Sequence, residues 1–243
     1  MSSLPTYIAE DLAPTGALRA AINMGNRLLV QGTPAAPTGV TVDIARDLGE
    51  RAGVPVELVR VHSVPKTLEA MRAGQTDICF MAVDPEREAE IAFTSPYAVV
   101  EGVFVVPLDS PIATVADVDR EHVRIGVVKD SSHEGFLSRT LKHATVVRGD
   151  RGVDVFRDRG LEVAAGVRQI MTEYVASNPG LRLVEGRFMQ VQQAVGTTRT
   201  RAPQTQQFLR SVIEELKASG FIADAIRRAN QLDLSVAQPG SRL

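Results

Sequence analysis

Apolar and polar positions along the first hundred residues follow the spacing of strands and of helices in turn. The apolar run 18–22 predicts a strand, and residues 54–61 alternate in the manner of a half-buried strand. Between them, apolar residues of 44–52 recur every three or four positions and predict a helix that ends at Gly53. A second helix (65–73) and a buried strand (77–83) follow, so the order predicts a parallel sheet covered on both faces.

After a strand over 102–107 and a polar stretch, the same alternation begins again at 123–128, which predicts a second α/β lobe. A long amphipathic helix over 204–218 ends the pattern, and an apolar strand over 188–195 returns the chain to the first lobe. A turn is expected at Asn178-Pro179-Gly180, because Pro fixes one dihedral and Gly permits the positive one. The other elements predicted in this half are strands over 102–107, 123–128, 145–147, 161–165 and 181–184 and helices over 134–142 and 153–159.

The amino-acid composition excludes several classes of protein. The 243 residues are 44% hydrophobic and carry a net charge of -2, without the basic excess of a general nucleic-acid binder. No apolar run approaches the roughly 18 residues of a membrane span. The single cysteine, Cys79, excludes an intrachain disulfide and a multi-cysteine metal site. The first residues lack the basic and apolar regions of a signal peptide, so the chain is expected to be cytoplasmic or to follow a removed leader.

Catalytic motifs are weak in this sequence. Ser63 and Lys66 fit an S-x-x-K pattern, but its companion motifs are missing, and Ser63 is better explained as a helix cap. The run Ser131-Ser132-His133-Glu134 has the residue types of a hydrolase triad, yet triads are assembled from distant segments. The four histidines lack the spacing of a zinc site. We therefore expect no catalytic residue, no metal and no cofactor.

Four short motifs occur in order along the first lobe. They are GVTVDIA at 39–45, LEAMRAGQTD at 68–77, DPER at 84–87 and FTSPY at 93–97. Together they resemble family 3 of the bacterial extracellular solute-binding proteins, the amino-acid-binding receptors of ABC transporters. The resemblance extends over roughly residues 16–232.

The resemblance implies an α/β fold of two doubly wound lobes joined by two crossover strands, as in type 2 periplasmic-binding proteins. The ligand is then expected in a cleft between the lobes, which closes by hinge motion. The boundaries that follow are an N-terminal tail at 1–15, lobe 1 at 16–103 plus 194–243, lobe 2 at 107–189, and crossovers at 103–107 and 190–194.

Arg87 matches the arginine that binds the ligand's carboxylate in this family, a role suited to a planar guanidinium. The alternative is a surface arginine paired with Glu86 or Glu90. Ser131 and Ser132 occupy the family's second-lobe turn, where hydroxyl and backbone N–H groups bind the other carboxylate oxygen. The same serines also suit a helix cap.

Several positions depart from the family pattern. Ala82 stands where a serine often precedes the arginine, and Asp84 stands where the family usually has threonine, which weakens the carboxylate contacts of this strand. Both remain candidate ligand contacts. Asn26 lies in the first-strand loop, where the family often has a stacking aromatic residue, and it is either a ligand contact or a turn residue.

Val167 occupies the place of the acid that commonly pairs with the ligand's α-ammonium. Asp84, Glu101 or Asp130 then supplies a compensating charge, or each of them is simply solvated. A small carboxylate is favoured over a sugar, because sugar sites rely on stacked aromatics and the chain has no Trp and three Tyr.

The sequence thus predicts a monomeric solute-binding protein for an amino acid or related organic acid, with an ABC transporter permease as its partner and no nucleic acid. The resemblance implies a periplasmic or extracytoplasmic location. The enzymatic alternative is a cyclohexadienyl (prephenate or arogenate) dehydratase on the same scaffold, using Glu101 and Asp84 as acids. A third alternative, the effector domain of a transcription regulator, is disfavoured because no helix-turn-helix precedes residue 18.

Overall fold

The computed structural model describes residues 4–129, 131–231 and 234–240, with the side chain of Ser132 left out. Backbone contacts divide the chain into two compact units. Unit 1 comprises residues 1–99 and 192–243, and unit 2 comprises residues 100–191. No helix among the described residues is long and apolar enough to cross a membrane.

Unit 1 is built on a mixed sheet, in the strand order β4 (Val56–Val61), β1 (Leu18–Asn23), β5 (Ile78–Ala82) and β12 (Met189–Thr198), with β6 (Ile91–Phe93) paired to β12. Strand β1 pairs in parallel with β4 and β5, which confirms the parallel sheet predicted from the alternating pattern. Strand β12 returns antiparallel to β5. The other elements of this unit are α1 (Thr6–Leu12), β2 (Gln31–Thr33), β3 (Ala36–Thr38), α2 (Val40–Ala52), α3 (Val64–Arg72), α4 (Pro85–Glu88), α8 (Pro203–Ala218), α9 (Phe221–Arg228) and β13 (Ser235–Val236).

The helix boundaries of unit 1 follow the local sequence. Gly53 ends α2 in the left-handed conformation, as its position predicts. Ser63 caps α3 by accepting a hydrogen bond from the Lys66 amide at 3.3 Å, which confirms the cap and gives the S-x-x-K pattern its structural explanation. Helix α2 packs close to β4, since a side chain on Gly49 would meet Val56 at 2.1 Å.

Helix α1 lies inside the stretch that the sequence predicts to be an N-terminal tail. It buries Ile8 and Leu12, which anchor it to the body of unit 1. Its Asp11 accepts a hydrogen bond from the Ala202 amide at 3.1 Å, at the start of α8, and the Asp11 carbonyl accepts from Arg201. The pattern of 4–15 is too short to predict this helix, whose stability comes from these tertiary contacts.

An ion triad is buried within unit 1. The Asp77 side chain is fully buried and forms ion pairs with Arg19 at 2.9 Å and with Arg201 at 2.7 Å. Asp77 also accepts a hydrogen bond from the Arg19 backbone amide at 2.9 Å. Two guanidinium groups and one amide thus compensate the loss of hydration of this carboxylate.

Unit 2 repeats the architecture with the strand order β7 (Ala98–Pro107, which starts in unit 1), β10 (Val163–Val167), β8 (Arg124–Val128) and β9 (Thr145–Gly149), and with β11 (Leu181–Leu183) paired to β7. Strand β8 is parallel to β9 and β10, whereas β10 is antiparallel to β7. The helices of this unit are α5 (Ser132–Thr140), α6 (Gly152–Asp158) and α7 (Arg168–Ala176). The sequence did not predict α7.

Candidate functional site

A cavity of about 350 Å³ opens in unit 2, at the carboxyl ends of the parallel strands β8 and β10. This edge of an α/β sheet is where ligands commonly bind. Glycine and apolar side chains form most of its wall. Its lining residues are Val127, Val128, Ser131, His133, Arg151, Gly152, Val153, Ala165, Gly166, Val167, Ile170 and Met171.

The wall of this cavity includes two exposed hydrophobic side chains. Val128 is 40% exposed and Ile170 is 44% exposed, and both line the cavity. Large hydrophobic side chains of this exposure are few in the described chain. Their location at one opening indicates a surface adapted to an apolar group of a ligand.

Ser131 lies at the start of α5 and lines the cavity. Its hydroxyl accepts a hydrogen bond from the Glu134 amide at 3.1 Å and donates to the Val128 carbonyl at 2.7 Å. The helix-cap interpretation is therefore confirmed. Because the single hydroxyl proton is already donated, Ser131 offers a ligand only its remaining acceptor capacity. The Ser132 side chain lies outside the described residues, as does Asp130.

His133 is buried beside the cavity and packs edge-on against Phe188, with ring centroids 5.9 Å apart. Its Nε2 atom has no hydrogen-bond partner among the described residues. Burial lowers the pKa of His133 below its ordinary value of 6.5, so the imidazole is neutral at pH 7.

Glu101, a predicted ligand contact, is bound by two arginines of unit 2. Arg168 donates to it at 2.5 Å and Arg187 donates at 3.1 Å. Arg168 also donates to the Gly186 carbonyl at 2.8 Å. Both carboxylate oxygens of Glu101 are therefore engaged, and the side chain holds the start of α7 beside the cavity.

Arg87 lines a separate concavity of about 490 Å³ in unit 1. Its guanidinium donates to the Ala82 carbonyl at 2.7 Å. Within the described residues it forms no ion pair with Glu86 or Glu90, and Glu90 instead binds Arg72 at 2.5 and 2.7 Å. The surface ion pair that was the alternative explanation for Arg87 is thus not found.

The remaining predicted site residues of unit 1 have different surroundings. Asp84 shares the concavity of Arg87, but its carboxylate caps α4 by accepting from the Glu86 amide at 2.9 Å. Ala82 contributes its carbonyl to Arg87 rather than a side chain. Asn26 lies in the turn after β1, where its carbonyl accepts from the Val30 amide at 2.9 Å.

The sequence missed several residues of the unit 2 cavity. Ile170 and Met171 belong to α7, a helix with one buried residue, whose short pattern is too weak to predict. Arg151 stands in a charge-rich segment two residues before the predicted helix 153–159 and was not among the predicted contacts. No group of three or more His, Cys, Asp or Glu residues suited to a metal ion is found among the described residues.

A known amino-acid-binding protein is similar to part of this chain. The chain is 27% identical over 111 residues to the amino-acid-binding protein AabA of Dichelobacter nodosus, a match that covers 45% of this chain and 43% of that protein. The chain thus matches less than half the length of this relative.

Solved structures of the same fold cover most of the chain. A putative ABC transporter binding component from Wolinella succinogenes, complexed with lysine, superposes with a TM-score of 0.63 at 19% identity, over 88% of this chain and 95% of that one. An ancestral cyclohexadienyl dehydratase superposes with a TM-score of 0.58 at 20% identity, over 90% and 95%. These similarities confirm the fold class inferred from the sequence.

The model of the bacterial extracellular solute-binding proteins, family 3, matches residues 28–229. This range contains the four motifs and all the predicted contact residues except Asn26. The chain therefore belongs to family 3 of the bacterial extracellular solute-binding proteins.

Proposed function

We propose that this solute-binding protein captures a small carboxylate-bearing molecule, an amino acid or a related organic acid, and delivers it to an ABC transporter outside the cytoplasm. The surroundings of Arg87 are the observation that supports a carboxylate-bearing ligand. Its guanidinium is held by a backbone carbonyl, and no carboxylate of the described chain is at ion-pair distance. An arginine with unused donors in a concavity suits the planar geometry of a ligand carboxylate.

The unit 2 cavity supports the same proposal. Its volume of about 350 Å³ suits a small organic molecule, and its apolar wall supplies buried surface for the ligand's body. The cationic Arg151 is the charged group among its described lining residues. Its Nε atom lies 3.7 Å from the Asp154 carboxylate and its side chain is exposed, so Arg151 adds only a weak preference for an anionic ligand.

We propose binding without turnover. The enzymatic alternative needs Glu101 as an acid, but this carboxylate is bound by Arg168 and Arg187, and proton transfer would require breaking these ion pairs. The dehydratase similarity at 20% identity supports the shared fold alone. Incubation with prephenate or arogenate should leave both unconverted, and steady conversion that is lost in Glu101→Gln would contradict the proposal.

The carboxylate site is tested by replacing Arg87. A ligand is first identified by thermal shift across amino acids, 2-oxo acids and dicarboxylates, since binding to the folded state raises Tm. Arg87→Ala should then weaken binding by about 10- to 100-fold, because a charge-assisted hydrogen bond contributes about 1.5–3 kcal/mol.

Arg72→Ala is the matched control, because Arg72 lines the same concavity but is already paired with Glu90. It should leave the affinity within about twofold, since exposed ion pairs contribute little. Equal losses in both variants would show that Arg87 acts only through the general charge of the surface. An unchanged affinity in Arg87→Ala would remove Arg87 from the site.

A further inference from the structure

Two side chains of opposite charge lie close together in the wall of the unit 1 concavity. Arg87 and Asp84 both line it, and both are half-buried. Within the part of the chain that the structure describes, no ion pair joins them, and neither pairs with another charged group. A positive and a negative charge are thus held in one concavity without neutralising each other by direct contact.

Arg87 is held in place through one end of its guanidinium. The Nη1 atom donates to the Ala82 carbonyl at 2.7 Å, at the end of β5. A guanidinium carries five N–H donors in a fixed plane, so the remaining donors are available to a ligand. The carbonyl contact orders the side chain before a ligand arrives, which lowers the entropy cost of binding a carboxylate.

Asp84 is held in place by the helix that it caps. Its Oδ1 atom accepts a hydrogen bond from the Glu86 amide at 2.9 Å at the start of α4. A carboxylate accepts hydrogen bonds through both of its oxygens. The Oδ2 atom has no hydrogen-bond partner among the described residues. The cap therefore fixes the carboxylate and leaves acceptor capacity for a cationic group.

The other acids of this concavity differ from Asp84. Glu90 is bound by Arg72 through both of its oxygens, at 2.5 and 2.7 Å. Glu86 is exposed to solvent, which screens its charge. Partial burial strengthens the attraction between a carboxylate and a cation, because less water separates them. Asp84 is therefore the acid of this wall best placed to hold a positive group of a ligand.

An α-amino acid carries two charges that match this arrangement. Its ammonium and its carboxylate are attached to the same carbon atom, so one small molecule presents both to neighbouring groups of opposite sign. Resting on the proposed function, we infer that Asp84 binds the α-ammonium group of the solute while Arg87 binds its carboxylate. The role of the acid that the family pattern places at Val167 is thus taken by Asp84 of unit 1.

A 2-oxo acid lacks the ammonium and would bring its carboxylate towards Asp84 without a compensating cation. Isothermal titration of the full chain with matched pairs measures this difference. The probes are L-alanine and pyruvate, L-leucine and 4-methyl-2-oxopentanoate, and L-phenylalanine and phenylpyruvate, together with any further amino acid that a thermal-shift screen identifies and its own 2-oxo acid. In the pair that binds best, the amino acid should bind at least about tenfold more tightly, as expected for a charge-assisted hydrogen bond.

Asp84→Asn removes the charge and keeps a good N-cap residue for α4. It should weaken binding of the amino acid by at least about tenfold, and it should bind the 2-oxo acid at least as tightly as the wild type does. Asp84→Ser, a second uncharged N-cap residue, should give the same result. An unchanged preference, or equal losses for both ligands, overturns the inference and leaves the proposed carboxylate binding intact.

Glu86→Gln is the matched control, because Glu86 lines the same concavity and loses the same formal charge in this variant. It should leave the preference for the amino acid within about twofold, since an exposed charge contributes little. If Glu86→Gln reduces the preference as much as Asp84→Asn, the general charge of the concavity is its cause and the inference is overturned. If no carboxylate binds the wild type in titration or in the thermal-shift screen, the proposed function fails together with the inference.

Discussion

Replacing Asp77 should destabilise unit 1 far more than replacing any exposed acid. Asp77→Asn keeps the shape of the side chain but removes the charge that Arg19 and Arg201 face. It also places an amide N–H₂ group where one carboxylate oxygen accepted hydrogen bonds. The two guanidinium groups are 18% and 15% exposed, so water replaces the lost partner incompletely.

The magnitude follows from this burial. Removing one partner of a buried ion pair costs about 3–5 kcal/mol. The partial exposure of both arginines places the expected loss near the lower end, at about 3 kcal/mol. With a urea m-value of about 2 kcal/mol/M, the unfolding midpoint should fall by about 1.5 M.

Circular dichroism at 222 nm is the suitable probe, because the chain has no tryptophan. Glu90→Gln is the control, since the Arg72–Glu90 pair is 59% and 43% exposed and should contribute at most about 1 kcal/mol. If Asp77→Asn shifts the midpoint no further than Glu90→Gln, the triad contributes no net stability and the reasoning is refuted.

Two further predictions concern buried titratable groups. Burial raises the pKa of the Cys79 thiol from 9.0 to about 12, so its contribution to stability is complete below pH 9 and is lost as the pH rises towards 12. Cys79→Ala should flatten the alkaline fall of the urea midpoint, and an unchanged slope would argue against a buried thiol. Burial lowers the pKa of His133, so the neutral imidazole makes its full contribution to folding stability above about pH 6.5. This contribution is lost as the pH falls. The wild type should lose more stability between pH 7.5 and 5 than His133→Asn, and parallel losses would exclude His133 as the cause.

The sequence predicted secondary structure best where apolar residues recur with a strong helical period. The run 44–52 and Gly53 predicted α2 to within four residues, because one apolar face and a left-handed glycine act locally. The hairpin β2–β3 and helices α1, α4, α7 and α9 were not predicted. Most of them are short elements whose stability comes from tertiary packing, whereas α9 shows the helical spacing of Ile222, Ala225 and Ile226 in the sequence and could have been predicted.

The candidate site was less predictable, because side-chain partners are set by distant parts of the chain. Asp77 ends the second family motif, yet its partners lie 58 and 124 residues away. The sequence alone suggested that Glu101 was available to a ligand. Only the fold shows that Arg168 and Arg187 bind it. Arg87 and Val167 were identified through the resemblance, and their roles in binding remain predictions.

Helix α1 also determines where a shortened version of the protein can safely begin. A recombinant chain starting at residue 16 would contain the family motifs and the first strand, but it would lack Asp11. The amide at the start of α8 and the guanidinium of Arg201 would then lose acceptors together, next to the buried Asp77. Expression designs and fusion partners should therefore leave residues 4–15 in place, with any tag separated from them by a linker.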